Sequence, residues 1–309
     1  MCGVCGIWSP QGADPTEAAR LMFFSLYALQ HRGQESAGIA ATDGRDLRVV
    51  KRMGLVGQVF AEPDLGALGG RAAMGHTRYS TTGSSRIENA QPLVVSDPLL
   101  GELAIGHNGN CINARDIRGD LEREGVEFAT SSDTEVIAKA VAAAPGATWD
   151  AKLVHTLPTL SGAWSLVLLT RHALYAIRDP FGVRPLVVGR KGASWLVASE
   201  TSAFDTVGAE FVRDVLPGEI LRIDDAGLTQ VADMAADRMG LCVFEHVYLA
   251  SASSDLGGRS VYATREHMGE ILAREHAADA DVVIPVPDSA IPAAVGYARI
   301  SGIPFREGL

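Results

Sequence analysis

Cys2 is the residue whose type and position first suggest chemistry. It follows Met1 directly, and an initiator methionine is normally removed before a small residue, so we expect Cys2 to carry a free α-amine. Such an amine has a pKa of about 7.7–8.0 and is partly neutral at cellular pH. It can therefore take the proton of its own thiol, as the amine of an N-terminal threonine does for its hydroxyl. One residue would then supply both nucleophile and base.

A second candidate is Arg78, in the polar segment Gly75–Gly83 (GHTRYSTTG). We expect a strand to end at His76 and Arg78 to lie in the loop that follows. A guanidinium offers a rigid fork that can hold a carboxylate through two hydrogen bonds. An isolated arginine in a turn is more often a plain surface residue, so the residue needs partners before it indicates a site.

A third candidate is the segment Gly106–Asn110 (GHNGN), which follows another apolar run. The Asn108 side chain and the Gly109 amide could donate to a developing oxyanion. The same Asn-Gly pair also fits an ordinary hairpin turn. The local sequence favours neither interpretation.

The fourth candidate is Asp133, in the segment Ser131–Glu135 (SSDTE) at the start of a predicted helix over Asp133–Ala143. Ser132 or Asp133 is the expected N-cap, and Asp133 could also pair with a substrate ammonium. The four candidates together suit free glutamine. Arg78 would hold the α-carboxylate, Asp133 the α-ammonium, and Cys2 would attack the side-chain amide. Asn108 and Gly109 would stabilise the oxyanion, ammonia would leave from a thioester, and water would release glutamate.

The elements that position these residues indicate an α+β domain followed by a change of character. Short apolar runs separated by Gly-rich turns predict strands at Gly3–Trp8, Ser36–Thr42, Leu47–Arg52, Arg71–His76 and Leu103–His107, a helix at Pro15–Leu29, and a meander of strands over 163–223. From about Met239 the pattern predicts a strand-like segment at Cys242–Leu249, a buried strand that runs into a turn over Asp281–Ser289, and helices at Ser260–Ala278 and Ala290–Ser301. That order is the beginning of an α/β unit with a parallel sheet.

The bulk properties narrow the class of protein. The 309 residues suffice for about two domains. A net charge of −10 without basic clusters disfavours nucleic acid and anionic membranes as partners. The sequence has no apolar run of about 18 residues and no signal-peptide pattern. We therefore expect a cytoplasmic protein.

These segments, taken together and in order, resemble a known family. Cys2-Gly3, Gln30–Glu35 (QHRGQE), Gly75–Arg78 (GHTR), His107–Asn110 (HNGN) and Ser131–Glu135 are similar to the class II, N-terminal-nucleophile amidotransferases. More narrowly, Asp179–Leu186 (DPFGVRPL), Ser199–Asp205 (SETSAFD) and Val286–Ser289 (VPDS) resemble the amidophosphoribosyltransferase family. Members use glutamine and phosphoribosyl pyrophosphate to make phosphoribosylamine in purine synthesis.

The resemblance implies a fold and a division of the chain. Residues 2–238 would form a four-layer αββα glutaminase domain, with the family's roles carried by Cys2, Arg78, Asn108, Gly109 and Asp133. Residues 239–309 would begin a phosphoribosyltransferase domain. We also expect a homo-oligomer, although the sequence does not give the number of subunits.

The resemblance also implies cofactors. Ser289 would lie near magnesium in the phosphoribosyltransferase domain. Some members bind a [4Fe–4S] cluster through four cysteines, and Cys242 stands where the first would be. The segment Leu249–Asp255 lacks the Arg-Pro pair expected before its Asp, and residues 1–309 contain no Asp-Asp-Ser and Gly-Thr-Thr motif for phosphoribosyl pyrophosphate. We therefore expect a fragment or a truncated homologue that hydrolyses glutamine but lacks the acceptor motif.

Two other functions compete with this interpretation. One is another enzyme with the same glutaminase domain, such as an aminosugar synthase, a glutamate synthase, an asparagine synthetase or a glutaminase-only homologue. The Ser199–Asp205 and Val286–Ser289 segments argue against it. The other is a redox or metal-binding protein built on the Cys2-x-x-Cys5 pair, which would make Cys5 as important as Cys2.

Overall fold

The computed structural model describes residues 1–80 and 83–308. Thr81 and Thr82, which belong to the Gly75–Gly83 segment, and Leu309 lie outside the described residues. The chain divides into two compact units. Unit 1 comprises residues 1–199 and 203–241, and unit 2 comprises residues 200–202 and 242–309. None of the described helices is long and apolar enough to cross a membrane.

Unit 1 is built on two antiparallel sheets. The first has the order β11-β9-β10-β1-β4-β2-β3 and the second β13-β12-β8-β7-β6-β5. The strands are β1 Gly3–Trp8, β2 Ser36–Thr42, β3 Leu47–Met53, β4 Ala72–Arg78, β5 Leu93–Asp97, β6 Gly101–Cys111, β7 Gly162–Thr170, β8 Leu174–Arg178, β9 Val187–Lys191, β10 Ser194–Ala198, β11 Glu210–Asp214, β12 Glu219–Asp224 and β13 Gly227–Asp233.

Helices cover the outer faces of both sheets. They are α1 Glu17–Ala28, α2 Val56–Val59, α3 Glu62–Ala67, α4 Ala114–Arg123, α5 Asp133–Ala143, α6 Trp149–Thr156 and α7 Ser202–Val207. One apolar cluster joins α1 to the first sheet, a second joins α5 and α6 to the second sheet, and a third lies between the sheets. This is the expected four-layer αββα arrangement, since each apolar face is buried against another layer.

Strand β1 shows how the layers select residues. Its side chains alternate, with Val4 and Trp8 packing between the sheets and Cys5 and Ile7 packing on the helix side. Gly6 is required on the inner face, because an added Cβ would lie 2.8 Å from a methyl of Leu174 in the second sheet. The alternation puts position 2 on the inner side as well.

Unit 2 contains a π-helical turn Glu245–Leu249, the short hairpin β14 Asp255–Leu256 and β15 Arg259–Ser260, and helices α8 Val261–Glu275 and α9 Ile291–Ser301. The buried carboxylate of Glu200 accepts hydrogen bonds from the Ser251 amide (2.8 Å) and the Ser254 hydroxyl (2.7 Å). The Ser260 side chain caps α8. Long-range polar contacts within unit 2 therefore fix the loop that precedes the helix pair.

Two predicted strands in unit 2 are wrong. Cys242–Leu249 contains the π-helical turn instead, and Asp281–Ser289 makes one parallel bridge, Val283 to Phe305, among the residues described. Ile284 and Val286 are 47% and 68% exposed. An apolar run becomes a strand only where neighbouring strands take up its backbone hydrogen bonds, and the described part of unit 2 supplies little of that pairing.

Candidate active site

The backbone of Cys2 is held at both ends. Its nitrogen donates to the side-chain oxygen of Asn108 over 3.1 Å, and its carbonyl accepts from the Arg32 Nε over 3.1 Å. Its sulfur lies 3.5 Å from the Tyr79 carbonyl. Arg32 is almost fully buried, so its guanidinium fixes the start of the chain from inside the protein. No local sequence signal predicts this role for Arg32.

The Asn108 side chain is oriented by Cys2. Because its oxygen accepts from the Cys2 nitrogen, its NH₂ group points elsewhere, and this buried nitrogen has no hydrogen-bond partner within the described part of the chain. An unpaired buried donor costs about 1–3 kcal/mol. The protein therefore keeps beside Cys2 a donor that an incoming oxygen can satisfy.

Gly109 lies in the extended strand β6 and not in a hairpin turn. It pairs with Trp164 of β7, and its φ is +154°. An added Cβ would lie 2.1 Å from the Ala163 carbonyl oxygen, so a side chain does not fit. The prediction that the strand ends at His107 and that a loop follows at residues 108–110 is therefore wrong. Pairing with β7 fixes the backbone of Asn108 and Gly109.

Arg78 is likewise the last residue of strand β4. The prediction that it lies in a loop after His76 is therefore wrong. It is 2% exposed, and its Nη1 lies 3.2 Å from the Ser84 carbonyl and 3.4 Å from Glu35. Burial raises the pKa of Glu35, but hydrogen bonds from the amide and hydroxyl of Ser80 outweigh this and hold the pKa below its usual value. Glu35 is therefore an anion that orients the guanidinium.

Asp133 is the first residue of α5, and Ser132 is the N-cap, accepting from the Glu135 amide. Asp133 is thus not needed for capping. One carboxylate oxygen accepts from the Cys111 amide over 2.9 Å, and the other lies 3.7 Å from Nδ1 of His107. The Cys111 amide therefore holds the carboxylate at the edge of the second sheet.

The four candidates share one narrow cleft. Its lining residues are Cys2, Arg78, Tyr79, Gln91, His107, Gly109, Ser132, Asp133 and Thr134. Asn108 lies beneath Cys2, to which it is hydrogen-bonded. The cleft therefore brings together a thiol, a cation and an anion, and an amide NH₂ group without a partner in the described structure lies beside the thiol.

Burial decides the protonation state of the Cys2 thiol. Burial raises its pKa, although the contact with the Tyr79 carbonyl and the positive charge of the chain terminus oppose the rise. At neutral pH the sulfur is therefore protonated until a nearby group removes the proton. The buried His107 is a poor candidate, because burial lowers its pKa and its Nδ1 faces Thr134 over 3.1 Å.

His76 makes stability depend on pH. It is fully buried beneath the site, its Nε2 contacts the His107 carbonyl over 3.1 Å, and burial lowers its pKa to about 3. Between pH 6.5 and about 3 the unfolded chain binds a proton that the folded chain refuses, so stability falls as the pH falls. At pH 5 this one group should cost about 2 kcal/mol relative to pH 7.

Urea unfolding of the wild type and of His76→Gln at pH 7 and pH 5 measures this effect. The variant should be less sensitive to acid by about 2 kcal/mol, since glutamine has no proton to take up. Parallel losses of stability in the two proteins would show that His76 is not held neutral by burial.

Ser289 and Cys242 are the two residues predicted to lie at metal sites. Residues 1–80 and 83–308 contain no group of three or more His, Cys, Asp or Glu side chains suited to a metal ion. Ser289 lines a cleft with Tyr248, Arg265 and apolar residues, and none of the residues lining it is a carboxylate. The four cysteines of the sequence are Cys2, Cys5, Cys111 and Cys242, of which the first three are buried in unit 1 and only Cys242 lies in unit 2. Ser289 as a residue near magnesium and Cys242 as a cluster ligand therefore stay predictions.

Comparison with known proteins places this geometry in a family. Residues 76–206 match the model of a glutamine amidotransferase domain. The chain is 48% identical to the amidophosphoribosyltransferase of Methanothermobacter thermautotrophicus, matching all of this chain and 65% of the relative. It is 45% identical to that of Archaeoglobus fulgidus, matching all of this chain and 67% of the relative. The chain thus spans about two thirds of the length of these relatives.

A solved structure agrees with these sequence matches. The structure of the glutamine phosphoribosylpyrophosphate amidotransferase of Bacillus subtilis, complexed with ADP and GMP, matches with a TM-score of 0.92 at 41% identity, over 99% of this chain and 66% of that one. Family matches, identity and fold therefore point the same way. The chain belongs to the amidophosphoribosyltransferase family.

Proposed function

We propose that this chain hydrolyses L-glutamine through a thioester on Cys2. The observation that carries the proposal is the pairing of Cys2 with Asn108, whose oxygen anchors the Cys2 nitrogen while its buried NH₂ group lacks a partner in the described structure. A nucleophile beside an unsatisfied, rigid donor is the arrangement that acyl transfer from an amide requires.

The chemical steps follow from these groups. After removal of Met1, the neutral α-amine of Cys2 takes the thiol proton, and the sulfur attacks the side-chain carbonyl carbon of glutamine. The oxyanion is stabilised by the Asn108 NH₂ group and, in our proposal, by the Gly109 amide. The ammonium of Cys2 returns its proton to the leaving nitrogen, ammonia departs, and a γ-glutamyl thioester remains. Water, deprotonated by the same amine, then releases glutamate and the thiol.

The walls of the cleft supply the substrate clamp. Arg78 would bind the α-carboxylate of glutamine, and Asp133 the α-ammonium. Glu35 and the Ser84 carbonyl hold the guanidinium from one side, and the Cys111 amide holds the Asp133 carboxylate. The two charges are thus oriented before substrate arrives, which lowers the entropic cost of alignment.

The use of the ammonia is the second part of the proposal. Relatives named amidophosphoribosyltransferase support phosphoribosyl pyrophosphate as acceptor, phosphoribosylamine as product, and a role in purine synthesis. Residues 2–238 would be the glutaminase domain and residues 239–309 part of the phosphoribosyltransferase domain. Aminosugar and glutamate synthases are not favoured, since the relatives at 45–48% identity carry the other name.

Several properties of the whole enzyme remain proposals from the family resemblance. They are magnesium at the phosphoribosyl pyrophosphate site, a homo-oligomeric state and a cytoplasmic location. Magnesium would neutralise the pyrophosphate leaving group when bound. Ser289 would lie near it, and the residues that line the cleft around Ser289 include no carboxylate.

Intact-mass analysis tests the hydrolytic proposal directly. The 309-residue chain would be treated with diazo-oxo-norleucine, a glutamine analogue that alkylates the nucleophile. We expect one label, on Cys2, in a chain that has lost Met1. Labelling at another residue, or full glutaminase activity in a chain that retains Met1, would contradict the proposal.

A further prediction concerns the clamp. Asp133→Asn keeps the shape of the side chain but removes the charge that binds the α-ammonium, so the KM for glutamine should rise about 10–100-fold with a smaller change in kcat. Asp120→Asn, an exposed change on α4, is the matched control and should leave both constants near wild type. Steady-state kinetics of ammonia release measure the effect, and an unchanged KM in Asp133→Asn would remove Asp133 from the clamp.

A further inference from the structure

The segment Asn89–Gln91, which we call the bracket, connects the parts of the proposed glutaminase site. It begins with the last residue of a 3₁₀ turn, Ile87–Asn89, and ends two residues before strand β5. Asn89 and Gln91 are 2% and 4% exposed. Two amide side chains buried this deeply must form hydrogen bonds with protein groups. Each of them bonds to two segments that are separate in the sequence.

Gln91 connects strand β6, which carries Asn108, to helix α5, which begins with Asp133. Its Oε1 accepts from the His107 amide over 2.8 Å, and its Nε2 donates to the Thr134 hydroxyl over 3.0 Å. His107 immediately precedes Asn108 in β6, and Thr134 immediately follows Asp133 in α5. Gln91 therefore helps to set the spacing between the proposed oxyanion donor and the proposed ammonium partner, together with the contact of the His107 ring with the Thr134 hydroxyl.

Asn89 makes the corresponding connection for the carboxylate side. Its Nδ2 donates to the Ser84 carbonyl (2.8 Å) and to the Ser131 hydroxyl (3.1 Å), and its Oδ1 accepts from the Ser131 amide (3.2 Å). The same Ser84 carbonyl accepts from Arg78. Asn89 thus connects the partner of Arg78 to the residues just before Asp133.

We infer that Gln91 and Asn89 are positioning residues for substrate alignment, an inference that rests on the proposed function. Neither has to touch the reacting atoms. In this role the bracket fixes Arg78, Asp133 and Asn108 relative to one another, so that the side-chain amide of glutamine reaches Cys2 only when both ends of the amino acid are bound. Gln91 suits this role because its amide both donates and accepts, which glutamate and methionine do not.

The test compares two labelling reactions at Cys2 in the 309-residue chain. Diazo-oxo-norleucine needs the aligned clamp, whereas iodoacetamide needs only access to a reactive thiol. In Gln91→Met we expect the rate of labelling by diazo-oxo-norleucine to fall roughly 10–100-fold, since misplacement by about 1 Å costs of that order. Labelling by iodoacetamide should stay within about twofold of wild type.

Lys152→Met is the matched control. Lys152 is also buried and also holds α5, through the Ala142 and Ala144 carbonyls at the end of the helix away from the cleft. The Lys152→Met replacement should lower the melting temperature while leaving the ratio of the two labelling rates unchanged. If Gln91→Met does not fold, Gln91→Glu carries the same test, because it keeps the acceptor for His107 and loses the donor to Thr134.

Two results would overturn the inference, and they are distinguishable. If the wild type is labelled at Cys2 by diazo-oxo-norleucine but both rates fall in the same proportion in the Gln91 variant, the bracket has no role in alignment. If the wild type itself is not labelled by diazo-oxo-norleucine, the proposed function fails and the inference fails with it.

Discussion

Replacement of Cys2 by serine should abolish glutamine hydrolysis, with kcat reduced by at least about a thousandfold. The thiol is already hard to ionise in this site, because burial raises its pKa. A serine hydroxyl is far less acidic still, and an α-amine with a pKa of about 8 cannot deprotonate it to a useful extent. The hydrogen bonds to Asn108 and Arg32 involve only the Cys2 backbone, so the variant should fold normally and still bind glutamine.

Cys5→Ala is the control for this experiment. Cys5 packs against the helix layer at 1% exposure, and burial raises its pKa well above the usual range. We expect its replacement to lower the melting temperature and to leave glutaminase activity within about threefold of wild type. Equal loss of activity in folded Cys2→Ser and Cys5→Ala proteins would instead support the redox or metal-binding alternative. Ammonia release and thermal unfolding measure the two effects.

Local signals were sufficient for some elements of the fold. The helix Asp133–Ala143 was predicted with the bounds that the structure has, because its start and end are encoded nearby. Ser132 caps it, acidic residues occupy its first turn, and Pro145 follows its end. The strand Ser36–Thr42 also has the predicted bounds, since its apolar run stops at a turn.

The strands that carry the site were predicted too short, for a physical reason. Asn108 and Gly109 have low strand propensity, and the sequence around them resembles a turn. In the protein they pair in register with Ser165 and Trp164 of β7, and that tertiary pairing overrides the local preference. The same applies to Arg78, which pairs with Ser36 of β2.

Long-range polar contacts could not be read from the sequence. The bond from Arg32 to the Cys2 carbonyl and the bonds of Gln91 to His107 and Thr134 join residues whose separation along the chain carries no periodic signal. The lack of a partner for the Asn108 NH₂ group is a property of packing in three dimensions. Residue type was enough to single out Cys2, Arg78, Asn108 and Asp133 as candidates. The hydrogen bonds that hold these residues in place could not be predicted.

Asn108→Asp should reduce kcat for glutamine about 100- to 1,000-fold, which is the usual effect of removing one oxyanion donor. Aspartate keeps the oxygen that accepts from the Cys2 nitrogen, so the anchor of the nucleophile survives. It loses the NH₂ group, which is buried and without a partner in the described structure, and it places a negative charge where the oxyanion would form. The KM should change little, because the donor acts on charge that develops only in the transition state.

Asn113→Asp tests whether the same chemical change matters away from the cleft. Asn113 lies just beyond β6, where its amide donates to the Thr159 carbonyl and accepts from the Ser161 amide. Its replacement removes one donor outside the site, so kcat should remain within about threefold of wild type. Steady-state kinetics of both variants separate the two roles. If Asn108→Asp raises KM and leaves kcat unchanged, Asn108 stabilises the bound substrate and not the transition state. The thioester would then need another source of oxyanion stabilisation, and the Gly109 amide would be the remaining candidate on β6.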